Sequence, residues 1–526
     1  MISIVKNKII SISFATGLSK LAGLVRQLFI AAAFGVGIAY DAYNYAYIIP
    51  GFLLIIIGGI NGPLHNSVVA ILTPLTEKKA GLILTRVGVK ITLFLFLIGL
   101  FIFFNANLIL KSIAPDLSFE AQLIATQQLK ILSPCVPLSG FIGLSFGALN
   151  SKNKFFISSL SPSIISLVTI LLIIGNWIFN YRNNNELNNF NSNILAISTL
   201  TGTLIQFTIQ FYELVKLDLI KFPIVWNVGF EEEKRIYNIL IPSSLASGLG
   251  QINVFVDMFF ASSFRGAASG LAYGNFLIQA PLGILSNALI LPLLPKLANF
   301  KYKNEKKNLE KSLIESIEYC LLTTFFLTGL FLAFNELIVE LFFERGAFNQ
   351  EAVFIVKQIL IAYAIGLPFY LLKDLLVRIY YVLEKVKITF KLSVFGILLN
   401  ILFDWILIGA PTTNSSYLLP FNFGITGIVL SSGFVNLILC FILIFRLNSY
   451  KINIHIKVLL KKFILLLFSC IFSTYFSCLL TQNYNFKESI FLINSLNLLL
   501  NFLFFGLVYF IITKLLRVNK FSVKFN

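Results

Sequence analysis

Residues Ser19–Pro50 read SKLAGLVRQLFIAAAFGVGIAYDAYNYAYIIP, and this stretch decides the fold class because Lys20 and Arg26 stand inside a helix otherwise apolar enough to span a membrane. A Lys or Arg at mid-membrane costs roughly 2.5–3.5 kcal/mol on insertion scales, so such residues face an aqueous cavity or a partner. At helical spacing Thr16, Ser19, Lys20, Gly23, Arg26 and Gln27 gather on one stripe, while Leu21, Leu24, Leu28 and Ile30 look elsewhere. That stripe is the candidate site.

The rest of the chain agrees with a membrane setting. Of 526 residues 57% are hydrophobic and only 12% charged, and the mean hydropathy is +0.87. A soluble domain carries about 25% charged residues. Apolar runs long enough for a hydrocarbon core of about 30 Å recur throughout, with no interruption long enough for a soluble domain. The chain is therefore read as an all-α polytopic membrane protein. The five cysteines, Cys135, Cys320, Cys440, Cys470 and Cys478, form no CxxC pair and sit mostly in apolar runs, where Cys behaves as a small hydrophobe. Lys6 and Lys8 precede an apolar stretch, yet Lys20 and Arg26 interrupt it and no cleavage site stands out, so it is read as a retained first helix.

Hydropathy and breaker residues give fourteen expected spans: 9–34, 42–73, 87–111, 123–149, 156–180, 194–215, 236–264, 268–295, 312–335, 351–383, 388–410, 421–446, 459–480 and 489–514. The distribution of positive charge tests that count. Thirty of the 41 Lys and Arg residues fall in one alternating set of loops and tails, whereas the other set holds only Lys111, Arg182, Arg265, Arg345 and Lys487. The basic side is cytoplasmic by the positive-inside rule, which puts both termini there. The net charge of +18 thus reports topology and implies no nucleic-acid partner. Six basic residues remain within spans or near their ends. Lys130 and Lys357 lie near helix ends and are expected to snorkel; Lys20, Arg26, Lys373 and Arg378 lie deeper.

A faint internal repeat is present. RQLFIAAAF (26–34) is similar to VDMFFASSF (256–264), and AYNYAYIIP in the following helix is similar to AYGNFLIQAP. Repeats of this kind are the sequence trace of transporters built from two related bundles. The expected layout is an N-lobe over 1–220 with spans one to six, a C-lobe over 221–447 with spans seven to twelve, and spans thirteen and fourteen with a cytoplasmic tail over 448–526.

Three segments carry a specific likeness: GLSKLAGLVRQLFIAAAFGVGIAYDAYNYAYIIP, the loop LFFERGAF (341–348), and GLPFYLLKDLLVRIYYVLEKVK (366–387). Together they resemble the MurJ/MviN family of lipid II flippases, within the multidrug/oligosaccharidyl-lipid/polysaccharide exporter superfamily, over about residues 9 to 450. The resemblance implies a pair of six-helix lobes around a cationic central cavity, with a lipid-tail groove formed by the last two helices. It further implies a monomer in the bacterial cytoplasmic membrane, working by alternating access on lipid II, the undecaprenyl-pyrophosphate-linked peptidoglycan precursor. The chemistry of the stripe fits a pyrophosphate, since Arg offers a bidentate fork and Lys a point charge. By match to the family pattern Ser19, Lys20, Gly23 and Arg26 take substrate-cavity positions, with Lys20 where arginine is commoner. Asp41 matches an acidic residue at the outer end of the first hairpin, where it serves either as a gate or in a structural ion pair.

Span ten carries Lys373, Asp374 and Arg378; Asp374 and Arg378 stand at i,i+4, so an intrahelical ion pair competes with a substrate or gating role for Lys373 and Arg378. Asp257 in span seven, with Asn400 and Asp404 one turn apart in span eleven, offers oxygen ligands that suit a hard cation. These positions resemble a sodium site of the family, with Ser431 or Ser432 as further ligands, and imply Na⁺ as a coupling ion. Proton carriage, or pairing of Asp257 and Asp404 with cavity cations, is the alternative. No other cofactor is expected.

The chain also departs from the family. An arginine pair common shortly after the proline matching Pro50 is absent from GFLLIIIGGINGP, and an Asp-Arg-x-x-Glu pattern in span eight is replaced by Asn275, Phe276 and Gln279. Asn275, Gln279, Asn61 and His65 can still hydrogen-bond phosphate or sugar, although His65 is expected first in a structural bond to a neighbouring helix. His455 lies in a basic loop and is read as solvated. An exporter of another polyprenyl-linked oligosaccharide is the alternative transporter. An enzyme on the same lipid pathway would need clustered carboxylates at an interface or in a large outer loop, and none stands there.

Overall fold

A computed structural model describes residues 2–59, 62–182, 191–225, 229–409, 422–450, 452, 456–481 and 491–516. Asn61 and His455 lie outside the described residues. Every regular element among those residues is helical, and the chain divides into two compact units, Met1–Ser269 with Arg345–Asn349, and Gly270–Glu344 with Gln350–Asn526.

The first unit contains α1 (Ile2–Phe34), α2 (Ile38–Ile56), α3 (Pro63–Leu72), α4 (Glu77–Ile113), α5 (Phe119–Leu132), α6 (Cys135–Ser151), α7 (Phe155–Leu160), α8 (Ser163–Arg182), α9 (Ile194–Lys216) and α10 (Phe230–Ala261). The second is built on α11 (Ala267–Leu285), α12 (Leu291–Tyr302), α13 (Lys306–Phe343), α14 (Gln350–Val382), α15 (Val386–Ile408), α16 (Ile425–Ser449), α17 (Ile456–Thr481) and α18 (Phe491–Leu515). Among the described residues eleven helices are long and apolar enough to cross a membrane, or twelve when α5 and α6, bent by 43° at their junction, count as one.

The expected span 42–73 is two helices. The amides of Ile57 and Gly58 both turn back to the Leu53 carbonyl, at 2.8 and 3.3 Å, and α3 restarts with Gly62 as its N-cap and Pro63 in its first turn. Pro lacks the N–H that a continuous helix would need and is well suited to a helix start. The break is also a packing device: a Cβ on Gly143 of α6 would stand 2.2 Å from the Ile57 carbonyl oxygen, so only glycine lets α6 approach here. The expected span 459–480 falls inside α17, and 268–295 runs through α11 and a π-helical turn, Ser286–Ile290, into α12.

The core of the first unit is formed by Tyr45, Leu64, Val68, Ile83, Val87, Leu95, Ile102, Leu129, Val136 and Leu149 from α2 to α6. In the second unit α14 packs between α13 and α16, and α17 and α18 pack on α13. Large apolar side chains also point outward, among them Phe94, Leu97, Phe101 and Phe104 on α4 and Leu499, Leu503, Leu507 and Phe510 on α18. Bands of that size are an aggregation hazard in water and the ordinary outer surface of a chain solvated by lipid.

Candidate functional site

On α1 the sequence stripe splits by environment. Lys20 is exposed, Ser19 and Arg26 are half-buried, and nothing lies within 4 Å of the point where a Gly23 Cβ would be. Gln27 turns inward and donates to the Tyr40 hydroxyl at 2.8 Å. Arg26 therefore leads a face whose next residue towards the N-terminus is an open glycine.

The Arg26 charge acts on three tyrosines of α2 that sequence reasoning passed over, Tyr40, Tyr43 and Tyr47. They recur at steps of three and four, so a helix stacks them: Tyr40 and Tyr43 ring centroids are 6.2 Å apart, Tyr43 and Tyr47 5.6 Å, each pair 14° from parallel. Tyr43 shares a 2.8 Å hydrogen bond with Thr199 of α9, which fixes the stack. The buried Arg26 Nε has no hydrogen-bond partner. A guanidinium whose charge reaches the tyrosine stack, with a donor uncommitted, is suited to an anion.

Asp41 does different work. Its Oδ2 accepts from the Gly266 amide at 2.6 Å, and its Oδ1 accepts from the Ser269 amide at 2.7 Å and the Ser269 hydroxyl at 2.5 Å. The side chain is 5% exposed. A carboxylate on the free amides at a helix start is a cap, favoured by the helix dipole. The structural partner expected of Asp41 is thus a set of backbone amides, with the charge of Arg265 nearby, in place of a direct ion pair.

His65 is likewise held on both ring nitrogens. Nδ1 lies 3.1 Å from Asn66 Oδ1, Nε2 lies 2.7 Å from Asn150 Nδ2, and Asn150 Oδ1 accepts from Ser158 at 2.6 Å. A neutral ring with its proton on Nδ1 satisfies the chain, which ties α3 to α6 and α7. The interhelical bond expected for His65 is present.

In the second unit Arg378 Nε donates to Asp374 Oδ1 at 3.0 Å, so the i,i+4 ion pair forms, and Ser286 of the π turn donates to the other carboxylate oxygen at 3.3 Å. Lys373 is half-buried, next to Asp374 on α14. Asn275 and Gln279 are exposed on α11 and linked at 3.3 Å.

Asn400 and Asp404 on α15 are brought together with Ser431 and Ser432 on α16. Asn400 Nδ2 donates to Asp404 Oδ2 at 2.9 Å, Ser432 donates to Asn400 Oδ1 at 3.2 Å, and the Ser431 hydroxyl donates to Asp404 Oδ1. Asn400 is 1% and Asp404 0% exposed. Carboxylate, amide and hydroxyl oxygens are donor types a hard cation takes, and here the Asp404 and Asn400 oxygens each accept a hydrogen bond from within the cluster. Asp257 lies half-buried on α10 of the first unit.

One buried charge cluster was missed by sequence reasoning. Glu233, in the acidic first turn of α10, is 4% exposed, and Arg86 on α4 is 1% exposed. Arg86 Nε stands 2.6 Å from Glu233 Oε2, off the hydrogen-bonding direction, and Lys90 Nζ donates to Oε1 at 2.7 Å. Lys79 pairs with Glu232 at 2.5 Å, so α10 is clamped to α4 at its first turn. Only the run EEEK signalled it, and such a run is usually solvated.

A chain of long apolar helices with ionisable side chains on their faces has the build of a polytopic membrane transporter. A family model described as lipid II flippase MurJ matches residues 30–495. The chain is 36% identical over 442 residues to the probable lipid II flippase MurJ of Synechocystis sp., covering 83% of this chain and 80% of that one. It is 27% identical over 459 residues to the lipid II flippase MurJ of Thermosipho africanus, covering 86% and 88%. Among solved structures it is similar to lipid II flippase MurJ in an inward closed conformation, with a TM-score of 0.74 at 24% identity over 96% of this chain and 98% of that one. It is also similar in fold to an inward-facing multidrug resistance MATE transporter of the MOP superfamily, with a TM-score of 0.64 at 13% identity over 82% and 94%. The chain belongs to the lipid II flippase MurJ family.

Proposed function

We infer that this chain is a flippase that moves lipid II from the inner to the outer leaflet of the cytoplasmic membrane by alternating access. The observation that carries the reading, beyond family membership, is Arg26: a membrane-embedded guanidinium with an uncommitted Nε, whose charge is felt by Tyr40, Tyr43 and Tyr47. Lipid II presents a pyrophosphate that must leave water to cross. Arg26 supplies the fork for it, Lys20 a mobile point charge about two turns earlier on the same face, and Ser19 a hydroxyl. Gly23 keeps the helix surface between the two cations open. These charges persist in the membrane because the transported anion compensates them.

The finer layout belongs to the same proposal. Fourteen spans form two six-helix lobes over 1–220 and 221–447 with two further helices over 448–526, both termini are cytoplasmic, and the chain acts as a monomer. Na⁺ held by Asn400, Asp404 and Ser432 is the coupling ion, and its oxygen-only donor set supports that reading. The process is transport, in which no covalent bond of the substrate is made or broken.

Expression of the chain in a bacterium depleted of its own flippase tests the function. Growth and precursor translocation are restored by the wild type and lost with Arg26→Ala at equal membrane abundance. Failure of a correctly inserted wild-type chain to rescue refutes the assignment, and full rescue by Arg26→Ala refutes the site.

A further inference from the structure

The boundary expected between the two lobes, at 220/221, falls between α9, which ends at Lys216, and α10, which starts at Phe230 and carries most of the second copy of the sequence repeat, 256–264. On both sides of that boundary the chain lies along one helix of the first unit, α4. The part of α4 concerned is 79–90, at the end expected to be cytoplasmic.

Two neighbouring stripes of α4 do the holding. Gly81 and Thr85, one turn apart, take the chain after α9. A Cβ on Gly81 would lie 3.0 Å from the Asp218 carbonyl oxygen, the Thr85 hydroxyl accepts from the Lys221 amide at 2.9 Å, and Leu219 between them is fully buried. Lys79, Ile83, Arg86 and Lys90, at steps of three and four, take α10. Gly229, its N-cap at φ +73°, lies so close that a Cβ there would stand 2.5 Å from Ile83 Cγ1. Glu232 then meets Lys79, and Glu233 meets Arg86 and Lys90. One turn further Ile236 is 1% exposed and belongs to the core of the first unit.

An interface that opens in every cycle needs contacts that water can replace. Here the central contact is a buried ion pair, and separating it would strand a charge that water does not reach. We infer that residues 218–221 and the root of α10, 230–236, stay fixed on α4 throughout the transport cycle. The helix that carries the second copy of the repeat is thus held at its inner end by the first unit, so the boundary of the repeat and the boundary of the moving parts are different places. The root of α10 is a bearing and not a gate. The inference takes a working cycle from the flippase reading, and the residues of the fastening are separate from those assigned to the substrate.

Electron–electron double resonance between spin labels on Lys79→Cys and Glu232→Cys reads the fastening directly, in the full chain with Cys478→Ser, where the four remaining cysteines are buried. One narrow distance is expected, the same with and without sodium and with and without lipid II. A second population or a shifted distance overturns the inference. The same two cysteines, joined by a reducible bis-thiosulfonate long enough to span the ion pair, test it under turnover in a bacterium depleted of its own flippase. Precursor translocation is expected to be equal with the bridge in place and after its reduction. A loss with the bridge that reduction reverses shows that the root must leave α4, and overturns the bearing. If the reduced protein does not translocate although the distance is single and narrow, the flippase reading falls and the fastening stands.

Discussion

Replacing Asp41 with Asn separates a structural carboxylate from a substrate-binding one. In the native protein Oδ2 receives the Gly266 amide and Oδ1 receives the Ser269 amide and hydroxyl. An Asn side chain keeps one carbonyl oxygen for Ser269 but turns an NH₂ group towards the Gly266 N–H, 2.6 Å away, so two donors face each other. Leaving that buried amide unsatisfied costs about 1–3 kcal/mol. Loss of the negative charge at a helix start adds about 0.3–1 kcal/mol, more where partly buried. A local loss of about 1.3–4 kcal/mol follows, which at 1.36 kcal/mol per decade is roughly a 10- to 1,000-fold acceleration of amide exchange at Gly266 and Ser269. Hydrogen–deuterium exchange on a peptide covering 262–270 reads it directly, with a remote peptide of α18 as the reference that does not change. If the Asp41→Asn protein exchanges like the wild type at these amides yet fails to transport, Asp41 acts on the substrate and the capping argument is wrong.

Further outcomes follow from other contacts. Gly346→Ala puts a Cβ 2.3 Å from the Ala32 carbonyl oxygen at a residue with φ of +58°, so it should break the Ala347 N–H to Ala32 bond of 2.8 Å and speed proteolysis at 345–349; unchanged cleavage would count against the docking of this loop. His65→Ala removes the partner of Asn150 and should lower stability by about 0.6–2 kcal/mol, the usual scale for a hydrogen bond between membrane helices, without altering substrate affinity; an affinity loss at unchanged stability would restore His65 to the binding residues. Glu233→Gln removes the counter-charge of the buried Arg86 and should cost about 3–5 kcal/mol in denaturation of the purified protein, whereas Glu232→Gln, whose partner Lys79 is half exposed, should cost under about 1 kcal/mol. Asp404→Asn should abolish any dependence of transport on sodium while leaving Arg26-dependent substrate binding in place; retention of wild-type sodium dependence would remove Asn400, Asp404 and Ser432 from the ion site.

The sequence by itself determined where the long helices lie and which side chains are out of place within them. Hydropathy is a property of each segment alone, so spans such as 351–383 and 388–410 nearly coincide with α14 and α15. Arg26 was equally legible, because a guanidinium in an apolar run is anomalous whatever surrounds it. The pair Asp374–Arg378 was readable too, since both ends stand on one helix. What only the tertiary structure decided was which polar groups from distant parts of the chain meet. Nothing local links Asp41 to the amides of Gly266 and Ser269, His65 to Asn150, or Glu233 to Arg86, because each pair is far apart in the chain and meets only when particular helices become neighbours. The tyrosine stack of α2 was visible as a spacing, but its meaning came from the approach of Arg26 on another helix. Periodicity fixes the face on which a side chain lies, and packing fixes what that face meets.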